Sequence, residues 1–351
     1  MTWPLNNKVL YGTILTLTIL APILFPNYQT QLAYLWLMVL LAMTWDIQGG
    51  QSGYNSFGNI VFFGIGMYTT AVVQRFMFYN FDEYEKTAGT LDSISASDYV
   101  LSLVIGGAGS ALLCVIVAIV LGSAVLGLRG HYFAICTLGL SIAAGEIAGG
   151  IDFIGAGSGM VTPVFPDGLG DKGIFFYIIF FVLVAACHFT LKKLYGGRFG
   201  LALNAIRDDE DKAEAMGLRT TRYKAVAWAV SAFYLGIAGG AMGNLIGFID
   251  PIATAFAGPT FGVWMVLMAI LGGKGTIWGP IIGAMVFHVT QELFWTYLFG
   301  WQRVALGAMI IAIVVFFPQG IMGFIRERWP HLMGHTVDEN QTADKGKEGA
   351  A

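Results

Sequence analysis

What most constrains this chain is a succession of apolar stretches, each near the ~20 residues that an α-helix needs to cross a bilayer. Ten are read: Val9–Phe25, Leu32–Gln48, Ser56–Tyr79, Val100–Leu126, His131–Gly150, Ile174–Leu191, Ala225–Phe248, Gly258–Gly273, Ile277–Leu298 and Val304–Phe324. Hydrocarbon offers no water to the backbone, so lengths like these are stable only with every N–H and C=O paired internally. The prediction is an all-α polytopic membrane bundle of about ten spans. Charged residues make up only 12% of the chain, against roughly a quarter in soluble domains, and mean hydropathy is +0.68. A net charge of −3 argues against a nucleic-acid partner. Val9–Phe25 is too long for an ordinary signal core and lacks a small-x-small cleavage site, so it is read as the first span. Residues 1–328 form the expected membrane domain, and 329–351 a charged, small-residue tail predicted to be disordered.

Orientation follows from lysine and arginine. Alternate loops, counted from the N-terminus, hold Lys8, Arg129, Lys192, Lys193, Arg198, Arg207, Lys212, Arg219, Arg222, Lys224, Lys274, Arg326 and Arg328, and the tail adds Lys345 and Lys347. The opposite side keeps only Arg75, Lys86, Lys172 and Arg303, and holds the acidic residues Asp82, Glu83, Glu85, Asp92, Asp98, Asp152, Asp167 and Asp171. Both termini are therefore expected in the cytoplasm, together with the loop 196–224. Two long external stretches remain, Asn80–Tyr99, acidic and Ser-rich, and Ile151–Gly173, rich in Gly and Pro.

The loop 196–224 is the longest charged run between two apolar blocks. Phe199, Leu201, Leu203 and Ile206 suggest one apolar stripe, and Ala213, Ala215, Met216 and Leu218 another. Asp208 or Asp209 is placed to cap a second short helix, and Gly217 to end it in the left-handed region. Thr220 or Thr221 then opens the next span. The loop reads as two short helices held at a membrane surface. Its acidic run, Asp208–Asp211, argues against their lying flat on anionic lipid.

Chemistry is sparse elsewhere. Gly273-Lys274-Gly275-Thr276 lacks the upstream Gly, and the Ser or Thr after Lys, of a phosphate-binding loop. Any ATP machinery must therefore be a separate chain. His188 and His288 stand alone in their spans, and His331 and His335 lie in the tail. Cys114, Cys136 and Cys187 fall in apolar blocks without pairing or metal spacing. No catalytic or metal-ligating residue is assigned. Ionisable groups within apolar spans usually face a cavity or a partner. Asp46 reads either as a polar wall of a solute path or as a helix-end residue at the interface. Glu146 lies late in its span, Asp250 beside Pro251, and Glu292 one turn after His288, where the two suit a local pair. The glycines at 49, 50 and 53, and at 272, 273 and 275, mark irregular backbone around a cavity or close helix packing.

Several blocks together resemble the permease subunit of branched-chain amino acid ATP-binding cassette (ABC) importers. They are Gly53-Tyr54-Asn55-Ser56-Phe57-Gly58-Asn59 with Phe62 to Tyr68, Leu128 to Ala134 with Thr137-Leu138, Gly155 to Gly159, Phe199 to Lys224, Leu271 to Pro280, and Phe317 to Gly323. The resemblance implies a helical permease paired with a second, similar permease. It also implies two cytoplasmic ATPases that bind the ATP and Mg, an external substrate-binding protein, and no cofactor on this chain. It places the ATPase-coupling surface on Phe199, Leu203, Ile206, Arg207, Asp208, Glu214, Met216, Gly217, Arg219 and Arg222. Ile206 and Met216 would enter a groove, and the charged residues would form its rim. The expected solute path holds Asp46, Gly53, Asn55, Ser56, Asn59 and Glu146. Asp46 stands where Asn is common in the family, Asn59 where His is common, and Asn55 where an aliphatic is usual. A lining this polar keeps urea and short-chain amides beside branched-chain or other neutral amino acids. An ion-coupled secondary transporter using Asp46 is the rival of another class.

Overall fold

The computed structural model describes residues 7–78, 95–298, 300–316 and 320–328. The expected tail and most of the stretch Asn80–Tyr99 lie outside the described residues.

Each of the ten apolar stretches contains helix. The first six helices are α1 (Asn7–Leu24), α2 (Gln29–Gly49), α3 (Asn59–Phe78), α4 (Ala96–Val125), α5 (Gly130–Gly149) and α6 (Lys172–Tyr195). The polar loop follows as α7 (Arg198–Asp208) and α8 (Glu210–Ala215), and then α9 (Thr220–Ile246). The chain ends in α10 (Val263–Gly272), α11 (Gly279–Tyr297), α12 (Gln302–Phe316) and α13 (Gly320–Arg328). Seven helices among the described residues are long and apolar enough to cross a membrane, not ten. Helix α1 falls short because its apolar part is only Ile14–Leu24. Helix α12 has 15 residues, and α11 carries His288, Gln291 and Glu292 in its second half.

Helix α9 is the axis of the bundle and packs along α4, α3 and α2, while α2 also lies against α6. Small residues make that approach possible. A Cβ at Gly239 would sit 2.0 Å from the Phe63 carbonyl oxygen, and one at Gly66 would sit 2.2 Å from that of Gly236. Several polar side chains in the interior pair across helices. Gln74 and Asn244 exchange amide hydrogen bonds at 3.0 and 3.1 Å, and Tyr99 donates to Asn244 at 3.2 Å. Large apolar side chains face outward on α1, α4, α5 and α6, among them Leu17, Val104, Leu112, Ile135 and Val182. Such a surface is stable against lipid, not water. The chain is a multi-pass membrane protein.

Two departures from plain helix stand out. The Gly-rich stretch 151–173 forms short 3₁₀ turns and a strand, Met160–Val161, which pairs antiparallel with Phe248–Ile249. Ahead of α10 the backbone runs through two π-helical turns, Pro251–Ala255 and Gly258–Gly262. Asp250 caps the first, accepting from Ile252 N at 2.9 Å. Cys114 and Cys187 are buried, and Cys136 is half-buried.

Candidate functional site

The loop 196–224 folds as its local signals dictate. Asp209 caps α8, its side chain accepting from Lys212 N at 3.0 Å. Gly217 takes a φ of +87°, and its N–H donates to the Glu214 carbonyl at 2.8 Å. Helix α9 starts at Thr220.

The acidic run turns inward. Glu210 accepts from Lys224 Nζ at 2.7 Å and from the Tyr54 hydroxyl. Lys224 is only 1% exposed, donates also to the Leu126 carbonyl at 2.9 Å, and lies 4.2 Å from the centre of the Tyr54 ring. Arg129 pairs with Asp211, with Glu214 at 3.1 Å and with Glu210 at 3.7 Å. Thr220 donates to Glu214 at 2.7 Å. Burial drives the Glu210 carboxyl upward, but hydrogen bonds from Lys224 and Tyr54 outweigh it and leave its pKa below the ordinary value. Burial, then the Glu210 carboxylate, raises the Tyr54 phenol. The Asp211 carboxylate, with Glu210, holds Arg129 above its usual value. Through Glu210, helix α8 is tied to the α2–α3 connection, the α4–α5 connection and α9 at once.

A second cluster joins the two Gly-rich breaks. Asp46 Oδ1 accepts from Gly275 N at 2.7 Å, and Gln51 Nε2 donates to Gly275 O at 2.9 Å. A Cβ at Gly50 would lie 2.4 Å from Gly275 N. Gly53, with φ +77°, sits against Arg207, where a Cβ would be 3.0 Å from Cγ. Asp46 and Gly53, placed by sequence on a solute path, thus stand beside a residue of the expected coupling surface.

The remaining solute-path candidates do not converge. Asn59 is buried, accepts from Trp228 Nε1 at 2.9 Å and donates to Ser231 at 3.3 Å. Ser56 is buried, its carbonyl taking the Trp45 indole N–H at 2.6 Å. These contacts bind α2, α3 and α9 together. Asn55 and Glu146 are exposed, and Glu146 has no ion pair among the described residues. His288 does not pair with Glu292; its Nε2 is 3.0 Å from the Gln31 carbonyl.

The expected coupling residues divide by face. Leu203 and Ile206 are buried in this chain's own core, Ile206 at 3% exposure. Ile206, expected to enter a partner's groove, therefore does not face outward; Met216 does, at 85%, as does Leu201 at 71%, which is not among the expected coupling residues. Arg207 and Asp208 pair with each other at 3.2 Å. Arg219 and Arg222 are exposed and, with Phe199 and Tyr223, line a cleft of about 440 Å³ that reaches Gly217. Sequence reasoning did not single out Lys224, Glu210, Arg129 or Tyr54 as a unit. A signal was present: a lysine one turn inside an apolar helix needs an acidic partner if it is buried.

Residues 27–314 match the family described as "Branched-chain amino acid transport system / permease component". The permease protein LivM of the high-affinity branched-chain amino acid transport system of Salmonella typhimurium is 25% identical over 95% of this chain and 79% of its own length. LivM of Escherichia coli K12 is 25% identical over 92% and 76%. A probable LivH of Methanocaldococcus jannaschii is 30% identical over 44% of this chain and 50% of its own. No solved structure matches. With the family's description matched along most of the bundle, including the segments that build both clusters, the chain belongs to the branched-chain amino acid transport permease family.

Proposed function

We propose that the chain is the membrane-spanning subunit of an ABC importer that moves branched-chain amino acids inward by alternating access. The observation that carries this reading is the family match across residues 27–314. Relatives named as branched-chain amino acid permeases, matched over about three quarters of their length, put that substrate class ahead of urea and amides.

In this reading ATP and Mg are bound and hydrolysed by two separate cytoplasmic subunits. A second permease of the same family completes the pore, and an external binding protein delivers the solute. Both termini and α7–α8 lie on the cytoplasmic side of the cell membrane, a placement supported by the lysine and arginine bias and requiring an even number of crossings. Leu201 and Met216 enter the ATPase, with Arg219 and Arg222 at the rim. Movement of α8 passes through Glu210 to Lys224 on α9 and to Tyr54 ahead of α3. Asp46, Gly53 and Gly275 form the hinge at the inner gate, while Ser56 and Asn59 keep the gate helices in register.

The test is leucine uptake into proteoliposomes holding the complete transporter. Uptake is expected only with ATP on the side of the ATPases. Uptake on an ion gradient, with the ATPases left out, would instead establish a secondary transporter.

A further inference from the structure

A pocket of about 400 Å³ opens between the start of α2, the second π-helical turn and the second half of α11. It runs from Thr30 to Met38, a depth of about 12 Å at 1.5 Å per helical residue. It lies at the opposite end of α2 from the Asp46–Gly275 contact, on the external side in the proposed orientation. Irregular backbone beside a cavity, here the turn that carries Phe261, is how membrane helices frame solute sites.

The pocket is rich in acceptors. His288 and Gln291 line it at 5% and 8% exposure. The Gln31 carbonyl makes His288 Nε2 the donor, so Nδ1 is left as an acceptor, buried and without a partner. Gln291 Oε1 is likewise buried and unpartnered. Glu292 adds a carboxylate that forms no ion pair among the described residues. Among the described residues no lysine or arginine lines the cavity, whereas Tyr34, Trp264 and Trp295 do.

Unpartnered buried acceptors are costly, so the fitting occupant brings donors. A carboxylate and indole rings favour that occupant as a cation. A primary ammonium has three N–H donors and one positive charge. Met38 and Phe261 supply an apolar wall suited to a short aliphatic chain.

We propose that this pocket binds the ammonium group of a small aliphatic amine or amino acid, with Glu292, Gln291 and His288 as its acceptors. The same chemistry occurs in an aminoethanol lipid headgroup. Ammonium binding stands by itself; its role as a solute subsite rests on the importer reading.

The test uses the full-length chain in phosphatidylglycerol nanodiscs, followed by tryptophan fluorescence. The probes are 3-methylbutylamine, L-leucine, and 4-methyl-2-oxopentanoate, which keeps leucine's carbon frame without the ammonium. The amine and leucine are expected to saturate the signal and the oxo acid is not, a contrast that needs no variant. Glu292→Gln should weaken amine binding by at least about tenfold. An oxo acid that binds as well as leucine, an amine that does not bind, or an unchanged Glu292→Gln curve would overturn the site. Phosphatidylethanolamine in the discs provides the lipid arm. Competition with the amine supports the ammonium chemistry. A Glu292-dependent signal from that lipid with none from either solute overturns the solute assignment. ATP-driven uptake separates the two readings: intact uptake by Glu292→Gln removes the subsite only, and absent uptake by the wild-type transporter with intact amine binding removes the importer only.

Discussion

Lys224 Nζ donates to Glu210 Oε1 at 2.7 Å, with the lysine sealed from solvent and the carboxylate nearly so. This pair fastens α8 to the first turn of α9. Removing Lys224 leaves the nearly buried Glu210 carboxylate with only Tyr54 and the more distant Arg129, at a cost of up to about 3–5 kcal/mol. Lys224→Met should therefore lower the melting temperature of the purified protein strongly. The double variant Lys224→Met with Glu210→Gln should lose less than the sum of the single losses. Strict additivity would mean the two side chains do not act as a unit.

The same pair makes stability depend on pH. Glu210 has a lower pKa folded than its ordinary 4.5. The stability it contributes is thus complete above pH 4.5 and declines as pH falls through its folded value. A melting series from pH 7 to pH 3 should show wild type losing stability below 4.5. Glu210→Gln, less stable at neutral pH, should fall less steeply there. Parallel curves would contradict this assignment.

Leu201 and Ile206 lie on one short helix but face opposite ways. Leu201→Ser with Met216→Ser should change stability by no more than about 0.5 kcal/mol, since both are exposed. It should still reduce ATP-driven uptake sharply. Ile206→Ala should cost about 2–5 kcal/mol through core loss. Uptake at wild-type rate with both exposed residues changed would refute their contact with the ATPase.

At Gly217 no atom lies within 4 Å of a built Cβ, so conformation alone sets the cost of substitution. Gly217→Ala should destabilise by about 1–2 kcal/mol. Gly217→Pro should do more, because it also removes the N–H bonded to Glu214 and cannot reach a φ of +87°. Uptake and melting temperature should fall in the order glycine, alanine, proline.

If Asp46 works as a clasp, Asp46→Asn keeps an acceptor for the Gly275 N–H and should leave the leucine KM near wild type. Asp46→Ala should depress the uptake rate. A KM raised about tenfold in Asp46→Asn would show that the carboxylate meets the solute.

The sequence alone determined the helices and the form of the polar loop. Asp209 and Gly217 stand where their capping and turn chemistry predicts, and α9 opens at Thr220, because such signals act within about four residues along the chain. The blocks that mark the family were equally legible, since they are strings of neighbours. Tertiary structure decided what those blocks do to one another. It brought the glycine breaks at 49–53 and 272–275 together at Asp46, and turned the acidic run inward onto Lys224 and Arg129. It also sorted Leu203 and Ile206 into the core, leaving Leu201 and Met216 outside. Asp46 and Gly275 are 229 residues apart, and Tyr54 and Glu210 are 156 apart. Periodicity and capping do not reach that far; such pairs form only where packed helices leave a buried charge or N–H one place to find its partner.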